Sequence, residues 1–80
     1  MTNMEKYKKT FMEAFDIKDE NEVEALEYMG IEAWDSVGHM TLVALLEDAF
    51  DIMMDTDDII DLSSYAKGIE ILKNNYNVEF

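Results

Sequence analysis

The sequence predicts an all-α fold, a small four-helix bundle with three main helices, one short helix and a long first loop. Apolar residues recur at intervals of three and four in three separate stretches, which is the spacing of one helix face. No stretch alternates apolar and polar residues as a half-buried strand does, and proline is absent. Because the 80 residues suit one domain, we expect a single domain over 1–80, with its core at about 3–76.

The first predicted helix covers residues 3–15, and Thr2 or Asn3 can cap its N-terminus. Its apolar side chains fall on one stripe that we expect to face the core. The stripe consists of Met4, Tyr7, Phe11, Ala14 and Phe15.

Residues 16–34 form a long, acidic connection. Such a length is unusual in a small domain unless the segment packs through its own side chains. Val23, Leu26 and, as a third candidate, Met29 indicate a short helical turn within it, and Gly30 indicates a break after that turn. Trp34, the only tryptophan, is expected to pack the end of the connection against the core.

The central predicted helix covers residues 36–50. Asp35 and Ser36 lie where it begins, and both residue types suit an N-cap. Gly38 costs helix propensity, roughly 1 kcal/mol relative to alanine. Two explanations stay open for it: room for another molecule to approach Ser36, or a glycine tolerated in the first turn.

A short helix is predicted within residues 51–62, capped by Asp55 or Thr56. We expect three of its apolar side chains to point inward, namely Ile59, Ile60 and Leu62. The acids of this segment do not make an EF-hand loop. Such a loop starting at Asp55 needs a glycine and a glutamate where Ile60 and Ala66 stand.

The last predicted helix covers residues 64–75, with Ser63 or Ser64 as its cap. Its buried stripe is expected to contain Tyr65, Ile69, Leu72 and Tyr76. The tail, residues 78–80, is expected to pack weakly or to fray.

The charge of the chain constrains its partners. Nineteen acids against six lysines give a net charge of −13. Nucleic acid is therefore an improbable partner, and a basic protein surface is the natural one, although high charge can also serve solubility alone. No cysteine is present, and no apolar run is long enough for membrane insertion, so we expect a cytoplasmic protein.

The sequence offers little catalytic chemistry of its own. His39 is the only histidine, so it cannot belong to a histidine metal cluster. Ser36 and His39 are one helical turn apart and could pair as in a serine hydrolase, but no oxyanion hole or substrate pocket accompanies them. We therefore expect no catalytic residue, no metal site and no enzyme activity, with His39 as an exposed histidine or one at a partner surface.

The segment Asp35-Ser36-Val37, followed by Gly38-His39-Met40 and the run 42–50, resembles the attachment segment of acyl carrier proteins. The likeness covers about residues 3–75, and it implies the same four-helix bundle. In that family the serine of an Asp-Ser-Leu motif carries 4′-phosphopantetheine, and here Val37 replaces the leucine. The resemblance implies that a phosphopantetheinyl transferase attaches this arm to Ser36 from coenzyme A. The arm's thiol would then carry an acyl or aminoacyl group as a thioester.

The resemblance also implies a surface for partner enzymes. By resemblance it consists of Asp35, Val37, Ala44, Glu47, Asp48, Asp55 and Asp57. Carriers of bulk fatty-acid synthesis usually place acids just after the serine, where this chain has Gly38, His39 and Thr41. That departure favours a discrete carrier of a specialised pathway, polyketide synthesis among them, and leaves the cargo open. We expect a monomer that meets acyl-loading and acyl-transfer enzymes through their basic surfaces.

A second function class competes with the carrier. An acidic helical domain can be a protein–protein interaction module without a prosthetic group, and such a module needs no serine at the start of a helix. The mass of the protein after incubation with coenzyme A and a transferase separates the two.

Overall fold

The computed structural model describes residues 2–80, and 62% of the chain is helical. The described residues form five helices: α1 (Asn3–Phe15), α2 (Glu20–Val23), α3 (Ser36–Phe50), α4 (Thr56–Asp61) and α5 (Tyr65–Asn75). The all-α class is confirmed, and the three long helices begin and end within one residue of their predicted bounds. The first connection contains one helical turn, α2, as the sequence indicated, but it ends at Val23 and does not extend to Leu26. Within residues 2–80, no helix is both long and apolar enough to cross a membrane.

The core lies where α1 meets α3 and α5, and aromatic rings fill much of it. Phe11 of α1 is fully buried and contacts both Tyr65 of α5 and Trp34, with ring centroids 5.0 and 5.6 Å apart. Tyr7, also fully buried, donates a hydrogen bond from its hydroxyl to the Tyr65 carbonyl oxygen at 2.7 Å. Burial raises the pKa of Tyr7, so its phenol stays neutral in the folded protein.

The first connection is attached to the start of α5 by backbone hydrogen bonds. The Tyr28 N–H donates to the Ser63 carbonyl, and the Tyr65 N–H donates to the Leu26 carbonyl, both at 2.9 Å. Trp34 has no solvent exposure, which confirms the expectation that it packs the end of the connection against the core. The connection therefore delivers the chain to the start of α3 in a fixed position.

The two longest helices end with the same four residues, Ala-Phe-Asp-Ile, at 14–17 and 49–52. In both, the aspartate takes a left-handed conformation, with φ of 53° at Asp16 and at Asp51. The following N–H groups, of Ile17 and Ile52, donate back to the Met12 and Glu47 carbonyls at 2.9 and 3.1 Å. These bonds satisfy carbonyl groups that a helix end otherwise leaves unpaired.

The C-terminal tail packs instead of fraying. Val78 is buried, and its N–H donates to the Leu72 carbonyl at 3.1 Å. The Phe80 ring lies 5.5 Å from the Tyr7 ring, and the Asn3 amide donates to the Glu79 carbonyl at 2.8 Å. The tail thus covers the N-terminal part of α1.

Two apolar residues predicted to face the core do not. Ile60 of α4 is 72% exposed, and Met4 of α1 is 37% exposed. A helix of six residues makes fewer than two turns, so the spacing of its apolar residues cannot tell which of Ile59 and Ile60 is inward. Ile59 is the partly buried one of the pair.

Candidate functional site

Ser36 is the first residue of α3, and its side chain is exposed. The sequence left two candidates for the helix cap, and the structure assigns the role to Asp35, whose Oδ1 accepts the Gly38 N–H at 2.8 Å. Among residues 2–80, no hydrogen bond involves the Ser36 hydroxyl. The serine is therefore not needed to cap the helix, and its oxygen is accessible at the positive end of the helix dipole.

Gly38 is required by the protein's own packing. A Cβ atom at this position would collide with the carbonyl oxygen of Ala33, which lies against the first turn of α3. Neither explanation left open by the sequence is the main one. The glycine lets the end of the first connection approach α3 closely.

His39 lies between two segments and is hydrogen-bonded to both. Its Nδ1 accepts the Trp34 indole N–H at 2.9 Å, and its Nε2 lies 2.7 Å from the Ile59 carbonyl oxygen. An indole nitrogen only donates and a carbonyl oxygen only accepts, so Nδ1 must be unprotonated and Nε2 must carry the proton. The prediction of a plainly exposed histidine is wrong: the half-buried ring bridges the connection, α3 and α4.

This bridge does not favour a catalytic pair of Ser36 and His39. A catalytic histidine needs a free ring nitrogen to take the proton of the serine hydroxyl. Both ring nitrogens of His39 are engaged elsewhere, and no hydrogen bond joins Ser36 and His39 within residues 2–80. Among these residues, no group of three or more histidine and acidic side chains is arranged to hold a metal ion.

A groove of about 420 Å³ opens beside Ser36, between α3 and α4. Most of its lining is apolar, and it consists of Tyr28, Ser36, His39, Met40, Ile59, Ile60, Leu62 and Ser63. Because the two nitrogens of His39 are hydrogen-bonded, the imidazole offers the groove mainly its carbon atoms. The site can therefore take an apolar group attached near the serine.

Half of the exposed residues of α3 are also apolar. Val37 is 74% exposed and Met40 is 54% exposed, and Ala44 lies on the same side of the helix. Together with Ile60 across the groove, they surround Ser36 with apolar surface that a monomer has no packing reason to expose. The sequence pattern predicted the opposite orientation for Ile60, since its direction depends on how α4 packs.

The acidic residues of the predicted partner surface differ in what they contact. Asp48 and Asp57 are exposed. Glu47 is half-buried, and its Oε2 accepts the Met54 N–H at 2.9 Å, so it also fixes the loop that follows α3. Asp35 caps α3, as described above, and Asp55 belongs to a further hydrogen-bonded group.

That group joins the start of α4 to the end of α5. The Asp55 N–H donates to the Tyr76 hydroxyl at 2.7 Å, and this hydroxyl donates to Asp58 Oδ2 at 2.6 Å. Burial and the hydrogen bond to Asp58 raise the pKa of Tyr76. Asp55 precedes α4 as predicted, but its side chain makes no capping hydrogen bond.

Comparison of the chain with protein-family models, with curated proteins and with solved structures gives no significant match. Three observations therefore bear on function. They are an accessible serine hydroxyl at the start of a helix, an apolar groove beside it, and a net charge of −13.

Proposed function

We propose that this protein is a carrier in which Ser36 bears 4′-phosphopantetheine. The observation that supports it best is the Ser36 hydroxyl, which is exposed, makes no hydrogen bond within residues 2–80, and lies at the mouth of the groove. A transferase joins the serine oxygen to the arm's phosphate and releases the nucleotide part of coenzyme A. The arm's terminal thiol then carries an acyl or aminoacyl group as a thioester to partner enzymes.

The surroundings of Ser36 suit both ends of such an arm. The phosphodiester is anionic, and the first turn of α3 presents the free N–H groups and the positive end of the helix dipole to it. The apolar groove between α3 and α4 suits an apolar cargo. In this proposal the carrier needs no catalytic group, because the partner enzymes supply the chemistry.

The partner surface in this proposal begins at α3. Val37 and Ala44 supply exposed apolar contacts, and Asp48 supplies charge for the basic surfaces of a transferase and of acyl-transfer enzymes. Fatty-acid, polyketide and more specialised acyl-transfer pathways all use partners of this kind. A monomeric, cytoplasmic carrier is part of the proposal.

Intact-mass measurement after incubation with coenzyme A and a promiscuous phosphopantetheinyl transferase tests the proposal. The wild type should gain the mass of one arm, and Ser36→Ala should gain none while keeping its helical circular-dichroism spectrum. Ser63→Ala is the matched control, because Ser63 is an exposed serine on the same groove. It should be modified like the wild type.

Two results would oppose the proposal. Equal modification of Ser36→Ala and wild type would place the arm on another residue. A wild type that several transferases leave unmodified would favour the acidic interaction module without a prosthetic group.

A further inference from the structure

His39 makes one of the few polar contacts that hold α4 in place. No residue of α4 is fully buried, and no side chain caps its N-terminus. At one end, Asp58 is bonded to Tyr76 and to Asn75, at 2.6 and 2.9 Å. On the side of the groove, the hydrogen bond from His39 to the Ile59 carbonyl, 2.7 Å long, joins α4 to α3.

The Ile59 carbonyl lies in the last turn of α4, where carbonyl groups have no partner within the helix. His39 therefore satisfies an acceptor that would otherwise depend on water. Its other nitrogen accepts from Trp34, a side chain with no solvent exposure. One imidazole thus connects the end of the first connection, the first turn of α3 and the last turn of α4.

Only the neutral imidazole can make both bonds. In the imidazolium form each ring nitrogen carries a proton, so Nδ1–H would point at the Trp34 indole N–H and neither could accept. The buried indole N–H would lose its partner, which is costly for a group without access to water. Nε2–H can still donate to the Ile59 carbonyl in that form, so the bond that is lost is the one to Trp34. The repulsion between the two N–H groups then moves the ring to which α4 is bonded.

We infer that His39 is a positioning residue for Ser36: its neutral ring holds the end of the first connection and α4 on either side of the serine, and its protonation loosens them. The inference rests on the proposed function only for its consequence at Ser36, because the bridge itself is independent of any arm. Histidine is the side chain whose unperturbed charge changes between about pH 5 and 8, so this is the range in which the inference is tested.

Other titratable groups lie on the elements packed against the ring. The Tyr28 ring is 5.2 Å from the imidazole, measured between centroids. The carboxylates on the first connection, on α3 with its N-cap and on α4 are Asp16, Asp19, Glu20, Glu22, Glu24, Glu27, Glu32, Asp35, Glu47, Asp48, Asp57, Asp58 and Asp61. Acidification also begins to protonate carboxylates, whatever the state of the ring. A variant that retains every carboxylate but cannot titrate at position 39 separates these effects.

The bridge is tested first on the unmodified chain, by NMR between pH 8 and pH 5. As the ring carbon protons of His39 titrate, the indole N–H resonance of Trp34 should shift in step. Hydrogen exchange at the amides of α4, corrected for its intrinsic pH dependence, should become faster by about two- to tenfold, the equivalent of one net hydrogen bond.

Two variants make this test specific. His39→Gln retains a donor and an acceptor but does not titrate, so the Trp34 resonance and α4 exchange should no longer depend on pH. His39→Ala should show fast α4 exchange at every pH. A titrating His39 with an unchanged Trp34 resonance and unchanged α4 exchange would overturn the inference. So would a His39→Gln variant with the pH dependence of the wild type.

The consequence at Ser36 is measured as the ratio of modification rates of wild type and His39→Gln, in which the transferase's own pH dependence cancels. This ratio should fall about two- to tenfold between pH 8 and pH 6. A constant ratio would overturn the positioning role. If no transferase modifies either protein, the proposed function fails, while the NMR titration still decides whether the bridge responds to protonation.

Discussion

The helices α1 and α3 are built alike but face solvent differently. They have 13 and 15 residues, and both end with an aspartate in the left-handed conformation followed by an isoleucine. Each contributes its inward side to the same core. Apart from Met4, the exposed residues of α1 are charged, namely Glu5, Lys9 and Glu13. Those of α3 include three apolar residues, Val37, Met40 and Ala44, beside Ser36, Thr41 and Asp48.

The difference shows which residues serve packing and which do not. Two helices that pack in the same core both need apolar residues on their inward sides. Packing requires no apolar residue on the outside. Side chains of the inward face of α1 should therefore govern stability. Side chains of the outward face of α3 should govern contact with partners. Variants on the two helices test whether stability and partner contact depend on different residues.

The largest stability effect is expected at Tyr7 of α1. Tyr7→Phe removes the hydrogen bond to the Tyr65 carbonyl, which remains a helical acceptor within α5, so the cost is that of one hydrogen bond, about 0.5–1.5 kcal/mol. Modification of Ser36 in the folded variant should be unchanged. Denaturant unfolding measures the change in stability, and the rate of Ser36 modification is measured separately. Much slower modification of the folded variant would show that Tyr7 also affects partner contact.

Tyr7 also makes the stability of the folded protein depend on pH, and its raised pKa decides the direction. Because burial raises the pKa of Tyr7, the folded state keeps a proton that the unfolded state releases at about pH 10. Stability should be complete below that pH and fall as the pH rises above it. Tyr7→Phe should lose stability less steeply between about pH 9 and 11. Equal slopes for variant and wild type would contradict this sign.

Val37 of α3 should show the opposite behaviour. Val37→Asp places a charge where a partner needs an apolar contact, so modification of Ser36 should slow about tenfold, with little change in stability. Lys9→Ala is the matched control, since it changes net charge equally at an exposed position of α1. The loss should persist at high salt. A control that slows modification as much as Val37→Asp would point to net charge alone.

The acids near the end of α3 should have smaller and distinguishable effects. Asp48→Lys should slow modification a few-fold at low salt, and the loss should shrink as salt screens the charges. Glu47→Lys should also lower the melting temperature, because it removes the acceptor for the Met54 N–H. If Asp48→Lys is modified as fast as wild type at low salt, the electrostatic contact lies elsewhere, with the acidic first connection as the next candidate.

The smallest effect is expected at the start of α1. The hydrogen bond from the Thr2 backbone N–H, with that from the Thr2 hydroxyl, lowers the pKa of Glu5. The stabilisation that ionised Glu5 gives the folded protein is therefore present above the pKa of this carboxylate in the unfolded chain. It is lost as the pH falls through the lower pKa of the folded protein. Glu5→Gln should melt slightly below wild type at pH 7 and together with it near pH 2. A difference that persists in acid would assign the effect to shape instead of charge.

The sequence predicted what depends on local pattern. The bounds of α1, α3 and α5 follow from apolar spacing and from cap residues, which act within a few positions. The position of Ser36 at the start of α3 came from the same signals. The role of Gly38 was not predictable, because it depends on where the Ala33 carbonyl lies in the folded chain.

The interior of the site depends on contacts between distant residues. The hydrogen bonds of His39 reach Trp34 and Ile59, which are 5 and 20 positions away, and no periodicity encodes them. The groove likewise depends on Ile60 facing outward from a six-residue helix. Only the packing of α4 against α3 decides these features.

Tandem mass spectrometry can locate the arm on the chain. The protein is allowed to react with coenzyme A and a transferase, and its peptides are then fragmented. We expect one phosphopantetheine on the peptide that contains Ser36, with fragment ions that place it on that residue. The peptide with Ser63 and Ser64 should be unmodified. An arm on any other residue, or a fully unmodified chain after reaction with several transferases, would contradict the account.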